Sequence, residues 1–323
     1  PIIVECDREA IFSFGTSMQD LRWNAVVTDL DARVVARKEV NMRDSSVESA
    51  IEAITTAYRD LLDSLPDPSR LLPEIGVGSP GVVDMETGTV HGAVDLGWGT
   101  VELGRLLQDR LGIRASVANR SRVGALAEIW QREQRGTSDS LVYITVGTGV
   151  AAGIVHDGKL VRGANSSAGE IGHVVVVPDG PVCGCGNRGC LQTLSSERAI
   201  LHRANSLAQR RNLPPYKTAA NVMAGAEAGE SAAVRAVDEA GRHLATAIGA
   251  LINILNPAEV VLGGPLTEIG PTLVDAVRYH LAARAMDYPL RAVTVRKSSY
   301  GSDSSAIGAA VLVIQHSPQL LFS

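Results

Sequence analysis

At 323 residues the chain is long enough for two domains of ordinary size, each with a core that needs no disulfide staples. Hydrophobic residues at 45%, charged residues at 20% and a mean hydropathy of +0.10 describe a globular chain and exclude intrinsic disorder. A net charge of −5 excludes a global basic field for phosphate backbones or anionic lipid, so nucleic-acid and membrane binding by this segment are not expected.

In chain order, alternating apolar residues over 10–15 and 21–30, parted by Ser17-Met18-Gln19-Asp20, predict an N-terminal β-hairpin, and Asp31-Ala32 turns into a third strand over 33–40. Ser45 and Glu48 have capping-box spacing, and Val47, Ile51, Ile54, Tyr58, Leu61 and Leu65 recur at helical intervals until Pro66. Ile75-Gly76-Val77-Gly78 reads as a short buried strand entering the turn Ser79-Pro80-Gly81, and 101–111 as an amphipathic helix. The pattern then restarts with a helix over 121–134, a strand over 141–146, the turn Gly147-Thr148-Gly149, and a return strand over 150–155 closed by Asp157-Gly158. Helices over 195–211, 219–228 and 231–255 follow, the last stopped by Pro257. A strand over 259–262, the Gly263-Gly264 turn, a helix over 271–285, a strand over 292–296 and a helix over 304–315 complete the chain. Alternating strands and helices imply an α/β protein whose second half repeats the first in outline.

No apolar run reaches the roughly 18 residues of a membrane span, and Pro1-Ile2-Ile3-Val4-Glu5-Cys6 lacks the basic start and long apolar stretch of a signal peptide. A cytoplasmic protein is expected. The start at Pro1, without methionine, leads to the expectation that something once preceded it, either a processed initiator methionine or a further domain.

The strongest chemical signal is His173 followed by Cys183-Gly184-Cys185-Gly186-Asn187-Arg188-Gly189-Cys190, one histidine and three cysteines within 18 residues. Cys-x-Cys holds two thiolates on one tight turn, glycines let the backbone fold around a metal, and His173 completes a tetrahedron, so the four read as a structural zinc site. The alternative, a redox or disulfide pair, suits an acidic cytoplasmic chain poorly. Cys6 is left over as a small hydrophobe.

Gly169-Glu170-Ile171-Gly172-His173, with the cysteine loop ending Cys190-Leu191-Gln192, resembles the signature of the ROK family of bacterial sugar kinases, related open reading frames and transcriptional repressors. Ser79-Pro80-Gly81-Val82-Val83-Asp84, Leu96-Gly97-Trp98, Ile144-Thr145-Val146-Gly147-Thr148-Gly149 and Val260-Val261-Leu262-Gly263-Gly264 extend the resemblance over essentially the whole chain. It implies an actin-like, hexokinase-like ATPase fold, ribonuclease H-like in type, with two α/β domains flanking a sugar cleft. Residues 1–118, completed by the C-terminal helix 304–323, would form the smaller domain, and 119–303 the larger one with the zinc loop.

Against the kinases of this family the sequence departs at two places. Their first phosphate loop falls here on Ser17-Met18-Gln19-Asp20-Leu21, which has no glycine; using Gly15-Thr16 instead puts Phe12 and Ser13 where an Asp belongs. Close backbone approach to phosphate depends on glycine, and Mg-nucleotide needs a carboxylate nearby. The kinases also carry an Asn-Asp pair whose Asp is the general base, and the matching stretch is Asn119-Arg120. A guanidinium stays protonated and cannot accept a proton. Asp84 and Asp95 are the candidates for a displaced base. Gly147, Thr148, Gly149, Gly263 and Gly264 survive as a vestigial nucleotide site, while ATP and Mg²⁺ themselves are not expected as cofactors, and the chain is expected to be no enzyme.

The resemblance assigns sugar contacts to Glu170, to His173 through the ring nitrogen not used by zinc, to Asn119 and to Gly81; Gln192, where the family usually has Glu, still donates and accepts. Arg120 and Arg122 would favour an anionic sugar derivative if both faced the cleft; alternatively Arg122 points to solvent and Arg120 pairs internally. The expected function is the sugar-effector-binding and dimerisation region of a ROK transcriptional regulator, a homodimer or dimer of dimers. DNA would be contacted only through an N-terminal helix-turn-helix domain absent from residues 1–323. An active sugar kinase and a non-catalytic partner-binding scaffold are the alternatives.

Overall fold

The computed structural model describes residues 7–19, 21–93, 96–133 and 140–317, so Cys6, Asp20 and Asp95 fall outside the described residues, as do the ends of the helices expected to reach 134 and 323. The elements are β1 (Phe12–Gln19), β2 (Arg22–Thr28), β3 (Val34–Asn41), α1 (Val47–Ser64), β4 (Leu71–Ser79), β5 (Val82–Asp84), β6 (Thr89–Ala93), β7 (Trp98–Val101), α2 (Leu103–Leu111), β8 (Arg114–Asn119) and α3 (Arg120–Glu133). Then come β9 (Leu141–Val146), β10 (Val150–His156), β11 (Lys159–Leu160), α4 (Gln192–Ser195), α5 (Glu197–Gln209), α6 (Ala219–Glu227), α7 (Ser231–Leu255), β12 (Glu259–Gly263), α8 (Pro265–Glu268), α9 (Thr272–Leu281), α10 (Asp287–Ala292), β13 (Thr294–Lys297) and α11 (Ser304–His316).

The described residues form two compact units, one drawn from 1–137, 160–168 and 303–323 and the other from 138–159 and 169–302. Each is built on a five-stranded sheet, in the order β3-β2-β1-β4-β8 in the first and β11-β10-β9-β12-β13 in the second. β1 pairs antiparallel with β2 and parallel with β4, just as β9 pairs antiparallel with β10 and parallel with β12. The halves therefore repeat one topology, with the first strand of each at the centre. Both central strands are buried on both faces, β1 from Phe12 to Met18, including the polar Ser13, Thr16 and Ser17, and β9 over all six residues.

In the first unit Phe14, Trp23, Ile54, Ile75, Leu103 and Leu107 form the core. A small antiparallel sheet β5-β6-β7, which the sequence pattern did not reveal, extends it; its Trp98 is buried and donates from Nε1 to the Ser45 carbonyl at 2.6 Å. The Leu96-Gly97-Trp98 motif thus anchors a loop here. α11 returns to this unit and packs against β1, β4 and α3. Its small residues permit contact at backbone distance: a Cβ on Gly76 would lie 1.9 Å from the Ala309 carbonyl oxygen, and one on Gly308 would lie 1.6 Å from that of Val123. The boundary expected at residue 118 separates α3 from α11; their mutual packing instead keeps α3 in the first unit.

Local expectations shift in three other places. The stretch 17–19 is strand, because Met18 is buried and Ser17 donates to the Gly78 carbonyl at 3.2 Å, so the β1–β2 pairing runs on to Gln19 opposite Arg22. The cap of α1 is Ser46, whose side chain accepts from the Ser49 N–H, one residue later than the capping-box reading. The helix expected over 271–285 ends at Leu281, and the separate short helix α10 precedes β13. In the second unit Val142, Ile144, Leu244, Ile248, Val260 and Leu262 share one core. No helix among the described residues is long and apolar enough to cross a membrane.

Candidate functional site

The Gly169–His173 motif lies flat on β10. A Cβ on Gly169, whose φ is +95°, would fall 2.0 Å from the Ala152 carbonyl oxygen, so only glycine fits there. The Ala152 N–H donates to the Gly169 carbonyl at 2.7 Å, and a single 3₁₀ turn, Ile171–His173, then sets His173 beside the cysteine loop. That loop is a pair of tight turns. The Cys183 N–H donates to the Asn187 carbonyl at 2.8 Å, the Gly186 N–H returns to Cys183 at 3.0 Å, and Val175 bridges Cys190 across the loop.

His173, Cys183, Cys185 and Cys190 converge, one donor atom from each lying within 4.8 Å of every other. Cys185 Sγ is 3.7 Å from Cys190 Sγ, and Cys183 Sγ is 3.6 Å from His173 Nδ1. Zinc bonds of about 2.3 Å to sulfur and about 2.0 Å to nitrogen give tetrahedral edges of about 3.8 Å (S to S) and about 3.5 Å (S to N). Two of the six donor-to-donor separations therefore match the edges of such a tetrahedron, the four residues could hold a metal ion, and the three thiols are unbridged. Nδ1 faces the cluster, which leaves Nε2 on the far side of the ring.

The acidities of the thiols point the same way. Burial pushes the Cys183 thiol up, but hydrogen bonds from the backbone and side chain of Cys185, from Gln192 and from His173 outweigh it and bring it down to about 6. Cys190 is pushed up to about 12 by burial and by its neighbours Cys185 and Cys183. One sulfur ionises easily and resists ionisation of the next, as expected of crowded thiols that need a cation to share their charge. Gln192 braces the cluster, its Nε2 donating to Cys183 Sγ at 3.4 Å, while its Oε1 faces Gly149, 3.5 Å from where a Cβ would stand.

In the first unit the structure brings Asn119 and Gly81 together. Asn119 is buried at the end of β8; its Nδ2 donates to the Gly81 carbonyl at 2.8 Å and its Oδ1 accepts from the Ser121 N–H at 2.9 Å. Arg120 opens α3 and is half-buried. Arg122 is only 1% exposed, and its Nε and Nη2 donate to the Ala168 carbonyl at 3.3 and 2.9 Å. The reading of Arg122 as solvent-facing is thus corrected, and so is its pairing with Arg120 as a second ligand for an anion. The helical period carried a signal, since Arg122 shares a face with Leu126 and Ile129, both buried. Asp84 is tied into its own turn by the Glu86 N–H at 3.0 Å and the Thr87 hydroxyl at 2.9 Å; these bonds hold its carboxyl below the usual range and make it a weak base.

The surviving glycine turns meet in the second unit. A Cβ on Gly264, at φ +93°, would lie 2.6 Å from the Val146 carbonyl oxygen, so the turn after β12 presses against the end of β9. Pro265, the next residue, lies against Gly147, and so does Glu197, whose N–H donates to the Gly147 carbonyl at 2.9 Å, a placement that sequence reasoning missed: Ser196-Glu197 marks a helix start without saying which turn that helix faces.

Two topologically equivalent α/β halves, with a Cys3His cluster in the second, make this a protein of the hexokinase-like ATPase fold. The family model for the ROK family matches residues 21–316, and the chain belongs to that family. Its relatives are of two kinds. It is 35% identical over 251 residues to a glucokinase of Halalkalibacterium halodurans, covering 75% of this chain and 76% of that protein. It is 31% identical over 301 residues to the DNA-binding transcriptional dual regulator NagC of Escherichia coli, covering 90% and 73%. Among solved structures, a ROK glucokinase from Streptomyces griseus in complex with glucose and AMPPNP matches with a TM-score of 0.82 at 25% identity, covering 94% of this chain and 99% of that one. A ROK transcriptional regulator, a homologue of E. coli MLC, shares the fold with a TM-score of 0.83 at 23% identity, covering 97% and 80%.

Proposed function

We propose that this chain is the sugar-binding and dimerisation region of a ROK transcriptional regulator without sugar-kinase activity. The observation that carries this is Arg120, which follows Asn119 where the family's kinases have their general base. Loss of a positioned base removes about 10²–10⁴-fold in rate, and Asp84, committed to its own turn, is no replacement. The second support is β1–β2, which continues as paired strand to Gln19 opposite Arg22, without the glycines of a first phosphate loop.

In this reading His173, Cys183, Cys185 and Cys190 hold a structural zinc, which contributes folding energy and orients the histidine. With Nδ1 on the metal, Nε2 is left to hydrogen-bond a sugar hydroxyl, with Glu170 as the other sugar contact of the second unit; Asn119 and Gly81 are the sugar contacts the family resemblance implies in the first. Gln192, already bonded to Cys183, acts as a brace. Ligand binding shifts the population of quaternary arrangements, and residues 1–323 are not themselves assigned any operator contact.

The second reading, an ATP-dependent sugar kinase, is favoured by the 35% identity to a glucokinase. A coupled ADP-release assay with glucose, xylose and N-acetylglucosamine decides between them. No turnover above the ATP-hydrolysis background is expected, and turnover with any of these sugars overturns the regulator reading. Thermal shifts with the same sugars, against their phosphorylated and acidic derivatives, identify the effector class.

A further inference from the structure

The turn Gly147-Thr148-Gly149 has the composition of a phosphate cradle, yet its surroundings are those of a cradle already filled. The Gly147 N–H donates to the Gly149 carbonyl at 3.0 Å, so that amide is spent inside the turn. The Gly147 carbonyl accepts from the Glu197 N–H at 2.9 Å, which docks the first residue of α5 directly on it. A Cβ position built on Gly147 is 3.4 Å from Pro265 Cδ and 3.8 Å from Glu197 Oε1, both ordinary contact distances. A proline ring and a carboxylate thus both stand at contact distance from where a side chain on this glycine would lie.

The start of α5 would otherwise attract an anion, because the first amides of a helix are unpaired and the macrodipole is positive there. Two of its three leading N–H groups are committed: Glu197 to Gly147, and Ala199 to the capping Ser196 hydroxyl at 3.4 Å. The negative charge that suits a helix start is supplied by Glu197 itself, the first residue of the helix.

We infer that the Glu197 carboxylate takes the place of a phosphate at the Gly147-Thr148-Gly149 turn and excludes nucleoside polyphosphates from it. This deepens the non-kinase reading and rests on it: the residue that rejects nucleotide is distinct from Arg120, where the base is lost. A polyphosphate entering the turn meets a like charge at contact distance, and such juxtaposition costs two or more powers of ten in affinity. Neutralising that charge without changing the side-chain shape removes most of the penalty.

The test is ATP binding, measured by isothermal titration with and without Mg²⁺, on the wild-type chain and on Glu197→Gln and Glu197→Ala. The expected result is no saturable ATP binding below millimolar concentration in the wild type, and binding at least about tenfold tighter in both variants. The unfolding midpoints should fall only slightly, by the loss of one acidic side chain at a helix start, and the sugar-induced thermal shift should be unchanged. Micromolar ATP binding by the wild type overturns the inference without need of any variant. So do folded variants that bind ATP no better than the wild type. Tight ATP binding by the wild type without turnover sinks this inference alone, whereas sugar-dependent turnover by the wild type sinks the non-kinase reading as well.

Discussion

Replacing Gly308 with alanine tests the contact that ties the C-terminal helix into the first unit. The added methyl would sit 1.6 Å from the Val123 carbonyl oxygen, roughly 2 Å short of ordinary van der Waals contact. Two effects oppose each other. Alanine in a helix interior is favoured over glycine by about 1 kcal/mol, while overpacking a tight interface costs about 1–3 kcal/mol and more when nothing can rotate away. The obstructing atom is backbone, in a helix buried all round from Ser121 to Ile129, and on its other side α11 is pressed as closely against Gly15 and Gly76. The clash wins, and a net loss of about 2 kcal/mol is expected, moving the urea midpoint down by about 1 M. The assay is convenient because all three tryptophans, Trp23, Trp98 and Trp130, lie in the first unit, so their fluorescence follows that unit's unfolding. Gly99→Ala is the control, since nothing lies within 4 Å of its Cβ position. A Gly308→Ala midpoint equal to or above the wild-type value would refute the argument that α11 needs backbone contact with α3.

Further outcomes follow from the other sites. Cys185→Ser should lower bound zinc from about one equivalent to near zero, read by elemental analysis, and should reduce thermal stability; undiminished zinc would remove Cys185 from the ligand set. Arg122→Ala should cost the first unit about 2–3 kcal/mol in the same fluorescence assay, since it removes charged donors from the Ala168 carbonyl. Glu74 is buried, which alone would push its carboxyl up, but hydrogen bonds from His316 and Ser116 and the charge of Arg114 hold it below its ordinary value of 4.5. Its folded-state acidity being depressed, Glu74 contributes stability above pH 4.5 that is lost as pH falls through the lower folded value. Glu74→Gln should therefore flatten the acid limb of the stability profile, and an unchanged limb would show that Glu74 does not govern it.

The four metal-ligand candidates were legible because they lie close in sequence, so one loop suffices to gather them. Helix stops at Pro66 and Pro257 and the repeated strand-turn-strand outline were legible for a similar reason, since each depends on residues within a turn or two of one another. The sequence also determined that Arg120 cannot act as a base, because protonation of a guanidinium is a property of the residue and needs no fold. Tertiary structure alone decided what Arg122, Glu197 and Ser17 do. Arg122 is buried because α3 is covered by α11 and by the segment ending at Ala168, which lie 182 and 46 residues further along the chain. Glu197 faces Gly147 because α5 docks by one backbone hydrogen bond across 50 residues. Ser17, polar and read as part of a turn, is held in a strand by a neighbour 61 residues away. A composition or a period specifies which residues tend to be inside and how a segment is wound, but the partner of a buried charge or the occupant of a glycine turn is fixed only when distant segments pack.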